Sequence, residues 1–209
     1  RRRSSLRGCG LALALLAPKA LDQGEVTRRL AKYLADPSSV DSSLAPVILT
    51  AAARRNDPAL FAEFRTRLAA PKTPEQKSLM LRALAEFTEP ALLDRYLAMT
   101  ISDEIRAQDA WMPYAWLLAN PATRERAWVF VKAHWKALSS KLGPRGATRV
   151  IGAAGGLVSA SLKKDVEAFF RAPENEIEMA RKTLDQTLES IELGLRFKQG
   201  QRTSFVAWR

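Results

Sequence analysis

The chain has 209 residues, 47% hydrophobic and 26% charged, with a formal net charge of +11 at pH 7. That length and balance suit one or two compact domains with a real core and exclude a disordered or collagen-like chain. A single Cys, Cys9, excludes an internal disulfide, and a single His, His134, excludes a metal centre built on several histidines.

The first residues, Arg1-Arg2-Arg3-Ser4-Ser5-Leu6 followed by the apolar run Leu11 to Ala17, admit two readings. They resemble the basic and apolar regions of an export signal, even a twin-arginine leader. They also suit the apolar first helix of a domain truncated at its N-terminus, since the chain does not begin with Met. The apolar run is too short to span a bilayer, so no membrane span is expected. Residues 1–19 therefore stand apart as a leader or first helix, and 20–209 as a helical-repeat domain. A cytoplasmic setting is expected unless residues 1–17 are a signal.

Charge follows the same division. Residues 1–29 hold seven Lys/Arg against two Asp/Glu, and the other 180 hold 26 against 20. Beyond the leader, basic residues sit singly beside acids, as at Glu178/Lys182 and Glu192/Arg196, both spaced i,i+4. This is a solvated helix surface. With no recognition-helix signature and no basic strand interleaved with aromatics, nucleic acid is not expected as a partner.

Ala, Leu, Arg and Glu dominate and strand-like runs are scarce, which favours helix throughout. Helices are predicted near 5–16, 24–35, 44–55, 58–69, 74–87, 90–99, 104–119, 122–142, 145–156, 161–171 and 175–198. A repeat underlies the first half. Residues 47–64 and 79–96 align at an offset of 32, matching Leu49/Leu81, Ala51/Ala83, Ala53/Ala85, Pro58/Pro90, Ala59/Ala91 and Leu60/Leu92. A fainter copy places Pro121 31 residues further on. In each unit an apolar helix runs to a short polar turn, and Pro enters the first turn of the next helix, where its missing N–H costs little. Asp57 and Asn120 can cap those helices, and Gln76 falls at the capping-box position after Thr73. Two-helix repeats of this length predict an all-α fold, an α-solenoid of HEAT- or armadillo-like antiparallel helix pairs. Further on, Trp128, Val131, Trp135, Leu138 and Leu142 form one apolar stripe, and Ile177, Ala180, Leu184, Leu188, Ile191 and Leu195 another.

Candidate chemistry is sparse. His134 is read as structural, and Cys9 and His134 lack the local pattern of a dyad. Gly152-Ala153-Ala154-Gly155-Gly156 lacks the strand and the Lys-Ser/Thr of a phosphate loop, so its small residues are expected to let helices approach closely. Trp111, Trp116, Trp128 and Trp135 are expected mostly in the core. Asp103, Glu104 and Asp109 are read as first-turn acids of a helix. From the residues alone this is a scaffold, and a free-standing helical-repeat adaptor for a protein partner fits it too.

Particular strings carry a resemblance. Tyr33-Leu34-Ala35-Asp36-Pro37-Ser38-Ser39-Val40-Asp41, Lys72-Thr73-Pro74-Glu75-Gln76-Lys77 and Ile101-Ser102-Asp103-Glu104-Ile105-Arg106-Ala107-Gln108-Asp109 occur in that order. They are followed by 127–135, 165–170 and 181–191. Together they resemble the C-terminal domain of the zinc aminopeptidases related to puromycin-sensitive aminopeptidase, aminopeptidase N and the endoplasmic-reticulum peptide-trimming enzymes. The third string is similar to the family's S-x-x-[IV]-R-x-Q-D. The resemblance implies a parent enzyme that removes N-terminal residues from peptides, using zinc on an HExxH motif and a GAMEN loop. Neither motif is in this chain, so no catalytic residue, cofactor or metal ligand is carried over. It further implies that this domain partners the catalytic domain of the parent chain, caps its cavity and touches the distal part of the peptide substrate. Arg106 is the candidate peptide contact, since a guanidinium suits a terminal carboxylate. The competing role for Arg106 is a structural pair with Asp103, Asp109 or a neighbouring helix end.

Overall fold

A computed structural model describes the backbone of residues 23–207 and the side chains of residues 24–201. Cys9 and the helix expected over 5–16 lie outside the described residues. Among these there are nine α-helices and no strand, so the all-α expectation holds. The helices are α1 Gln23–Ala35, α2 Ala45–Ala53, α3 Pro58–Ala69, α4 Pro74–Leu84, α5 Pro90–Ile101, α6 Met112–Ala119, α7 Arg124–Ala153, α8 Ala160–Arg171 and α9 Arg181–Ala207. The described residues form two compact units that divide after Leu93, inside α5.

In the first unit, Pro58 and Pro90 each open a helix. The Asp57 carboxylate accepts from the Ala59 N–H at 2.8 Å, and Glu89 accepts from the Leu92 N–H at 2.9 Å. Thr73 caps α4 by accepting from the Gln76 N–H at 3.2 Å. The Gln76 side chain reaches back to the Lys72 N–H at 3.1 Å, one residue earlier than a capping box requires. α2 packs on α1 and α4, and α3 on α4. The core centres on Phe87, whose ring meets Phe61 edge-on at 5.2 Å and Phe64 at 6.1 Å, all three fully buried.

Residues 32 apart touch repeatedly. Arg54 pairs with Glu86 at 3.1 Å, and the Asn56 side-chain oxygen accepts from the Thr88 and Glu89 N–H groups at 2.7 and 2.9 Å. Asn56 has φ +57°, a left-handed conformation that Asn tolerates better than most residues. In the second unit Arg126 pairs with Asp94 at 2.5 Å, again 32 residues away.

α6 and α9 pack on α7, and α8 packs on α9. α7 spans the two helices expected over 122–142 and 145–156, which meet at a kink where their junction is predicted. Gly143 adopts φ +64°, ψ 175°, a region essentially closed to residues with a Cβ, and Pro144 follows. Four of the five residues of the stripe on α7 are buried, with Trp128, Val131, Trp135 and Leu138 at most 3% exposed, while Leu142 is half-buried. Phe169 and Phe170 of α8 pack edge-on or tilted against both tryptophan rings. Buried indole N–H groups need acceptors, and both find them. Trp128 Nε1 donates to Asp165 at 2.7 Å, and Trp135 Nε1 to the Asn175 carbonyl at 3.0 Å.

Two boundaries differ from expectation. The helix placed at 104–119 begins only at Met112, with Pro113 in its first turn, so Asp103, Glu104 and Asp109 precede the helix rather than forming its first turn. The helix placed at 175–198 begins at Arg181 after a single 3₁₀ turn, Glu178–Ala180. Consequently Arg181 pairs with Glu176 at 2.7 Å, while Glu192 and Arg196, well inside α9, pair at 3.3 Å as expected. Asn120 caps a turn rather than a helix end. Its oxygen accepts from the Ala122 N–H at 3.0 Å, and α7 starts at Arg124.

Candidate functional site

The site begins with the segment from Ser102 to Trp111, which joins α5 to α6 in turns. Ser102 ends α5, its hydroxyl donating to the Met99 carbonyl at 3.2 Å and accepting from the Glu104 N–H at 3.3 Å. Ile105 and Ala110 are buried and anchor the segment to the core. The N–H groups of Asp109 and Ala110 both donate to the Arg106 carbonyl, at 2.9 and 3.0 Å. This arrangement leaves the Arg106 side chain exposed. Its guanidinium forms no hydrogen bond or ion pair among the described residues, whether with Asp103, Asp109 or a neighbouring helix end.

Side chains of α7 hold both ends of the segment. Lys141 Nζ donates to the Ser102 carbonyl, and partial burial pulls the Lys141 ammonium below its ordinary value while nearby Asp103 opposes that shift. Arg149 lies over the Trp111 ring at 4.5 Å from its centroid, a cation–π contact. Sequence reasoning missed both contacts. A lysine bonded to a carbonyl 39 residues away leaves no local pattern. Trp111 and Trp116 are half-buried, unlike the fully packed Trp128 and Trp135.

The other sequence candidates scatter. His134 is exposed on α7, its ring 4.2 Å from that of Phe130, with distorted backbone (φ −118°, ψ 16°). It is a surface residue whose ring contact is with Phe130. No group of three or more His, Cys, Asp or Glu among the described residues could hold a metal ion, so zinc does not fit the donor set they offer. The glycine-rich stretch ends α7 and, as expected, allows close approach. A Cβ on Gly156 would lie 2.5 Å from the Leu118 carbonyl oxygen. Among the described residues no helix is long and apolar enough to cross a membrane.

These features define an all-helical domain carrying an exposed arginine on a braced turn. The chain belongs to the ERAP1-like C-terminal domain family, whose profile matches residues 3–193. It is similar to Aminopeptidase 2 of Candida albicans, 26% identical over 184 residues, which cover 85% of this chain and 20% of that protein. Shorter similarity joins it to two Saccharomyces cerevisiae proteins, each over 74 residues and 35% of this chain. These are alanine/arginine aminopeptidase, 30% identical across 9% of its length, and mitochondrial Aminopeptidase 2, 32% identical across 8%. The chain thus spans about a fifth or less of the relatives it matches.

Proposed function

We propose that this chain is the C-terminal domain of a zinc-dependent aminopeptidase, built as an α-solenoid of helix pairs and covering a catalytic cavity formed elsewhere in the parent polypeptide. The observation that carries this reading is the family match over residues 3–193, supported by relatives named as aminopeptidases. Contacts recurring at a spacing of 32, Arg54 with Glu86 and Arg126 with Asp94, support the repeat within each unit. The zinc and the reacting groups belong to the parent's catalytic domain, so this chain's residues position and recognise peptide rather than cleave it. Arg106 is the recognition residue, exposed and free to meet a peptide carboxylate in its distal part.

The test is made in the full-length parent. Arg106→Ala should raise KM for peptides long enough to reach the domain, and leave dipeptide-like substrates unchanged. A charge-assisted contact contributes roughly 1.5–3 kcal/mol when dry, and much less at an exposed arginine, so an increase of about two- to tenfold is expected. Equal loss at every peptide length would remove Arg106 from recognition. An upstream reading frame without HExxH and GAMEN would overturn the aminopeptidase assignment itself and favour a free-standing adaptor.

A further inference from the structure

A cavity of about 350 Å³ lies in the first unit, between the end of α1, the last turns of α3 and the start of α4. That volume is at the small end of the range for ligand sites, suited to a metabolite rather than a polypeptide. Tyr33 and Met80, 3% and 2% exposed, give it an apolar lining. Its polar groups are of both signs. Arg67 is committed to the fold, donating from Nε to Glu63 Oε1 at 2.6 Å and from Nη2 to the Leu34 carbonyl at 2.7 Å. That leaves Glu63 Oε2 without a hydrogen bond among the described residues. Across the cavity, Gln76 spends its side-chain oxygen on the Lys72 N–H at 3.1 Å, which leaves its amide NH₂ as a donor. The exposed Lys72 side chain makes no hydrogen bond or ion pair among the described residues, and its charge acts through space on Asp36.

One wall therefore offers a carboxylate oxygen, and the other an ammonium and an amide donor, over an apolar lining. A plain anion would meet Glu63, and a plain cation would meet Lys72 and Arg67. A molecule carrying both charges a few ångströms apart satisfies both walls. We propose that this cavity binds a small zwitterion, a free α-amino acid with an apolar side chain. Its carboxylate lies on Lys72 and the Gln76 amide, its ammonium on Glu63, and its side chain on Tyr33 and Met80. The proposal does not depend on the aminopeptidase reading.

The test uses the full chain with ¹³C-labelled methionine methyls. Met80 reports the cavity directly, and the buried Met99 of α5 serves as a control. L-Leucine should shift the Met80 signal saturably and leave Met99 in place. Leucinamide, which lacks the carboxylate, and 4-methylpentanoate, which lacks the ammonium, should each bind about tenfold more weakly. Lys72→Ala removes an exposed side chain with no structural bond, so the fold is kept. It should weaken leucine about tenfold and leave leucinamide unchanged, while Glu63→Gln should weaken leucine and spare 4-methylpentanoate. No saturable Met80 shift with leucine would overturn the proposal. So would Lys72→Ala binding leucine within twofold of the unsubstituted chain, whatever the stability of Glu63→Gln.

Discussion

Replacing Asn56 by Ala tests what joins successive turns in the first unit. The Asn56 oxygen accepts from the N–H groups of Thr88 and Glu89, and its amide donates to Thr88 Oγ1 at 3.1 Å. Those backbone donors precede α5, where no intrahelical acceptor exists for them. Asn56→Ala removes the oxygen that accepts both N–H groups and forces an alanine to φ +57°. Three partly buried hydrogen bonds at about 0.5–1 kcal/mol each, plus about 1 kcal/mol for the left-handed alanine, give a loss of about 2.5–4 kcal/mol. Asn56→Gly relieves the backbone penalty but restores no bond, so it should cost about 1 kcal/mol less. Asn56→Asp keeps the acceptor and should be the mildest of the three. Urea unfolding followed by far-ultraviolet circular dichroism is the assay, because the described tryptophans, Trp111, Trp116, Trp128 and Trp135, all lie in the second unit. Asn56→Ala within about 0.5 kcal/mol of the unsubstituted chain would show that these bonds do not hold the turns together.

Two glycines should respond with opposite signs. Gly156→Ala would press its Cβ against the Leu118 backbone and lower stability by about 1–3 kcal/mol, whereas Gly200→Ala in α9, with nothing within 4 Å, should raise it by about 0.5–1 kcal/mol. Paired melting curves decide this, and a neutral Gly156→Ala would contradict the close approach. Asp165→Ala should cost about 1–2 kcal/mol by orphaning the Trp128 N–H, and Asp165→Asn should recover much of that. The acid limb of stability provides a further check on Asp165. Burial raises its carboxyl, but hydrogen bonds from Lys132 and Trp128 and the charge of Lys132 outweigh it, so the folded value is depressed. Its contribution is therefore fully present above the unfolded value of about 3.9 and lost as pH falls through the folded one. Asp165→Asn should flatten that limb below about pH 4, and an unchanged acid limb would refute the role given to Lys132.

What the sequence revealed of the fold depended on whether the cause was local. Asp57-Pro58 and Glu89-Pro90 mark helix starts because capping and a fixed φ act within four residues, and both helices begin at those prolines. The break in α7 at Gly143-Pro144, between the helices predicted over 122–142 and 145–156, has an equally local cause. The segment 102–111 misled because Ile105 and Ala110, buried as anchors of a turn, add apolar residues that extend the helical pattern of α6 backwards. Asn56 was invisible as a staple because its partners lie 32 and 33 residues away. Nothing in the lines around Lys141 or Arg149 announces that they brace the turn carrying Arg106. The polar faces of the cavity behind α1 were equally hidden, since Glu63, Lys72 and Gln76 come together only through the packing of α3 and α4.

The string from Ser102 to Asp109 can now be divided by what each residue does in this fold. The Ser102 hydroxyl and carbonyl are bonded, Ile105 is an anchor, and the Asp109 N–H closes the turn onto the Arg106 carbonyl. The side chains of Arg106 and Gln108 are exposed and carry no such duty among the described residues. Arg106→Ala should therefore leave stability within about 0.5 kcal/mol of the unsubstituted chain, as surface substitutions away from structural features do. Ile105→Ala, by contrast, should cost about 2–4 kcal/mol for a core aliphatic cut to a methyl. Melting curves of the two variants are measured under one condition. If Arg106→Ala falls as far as Ile105→Ala, the arginine is part of the scaffold and the peptide contact is lost with it. If only Ile105→Ala falls, the turn is built to present a cation that the fold itself does not use.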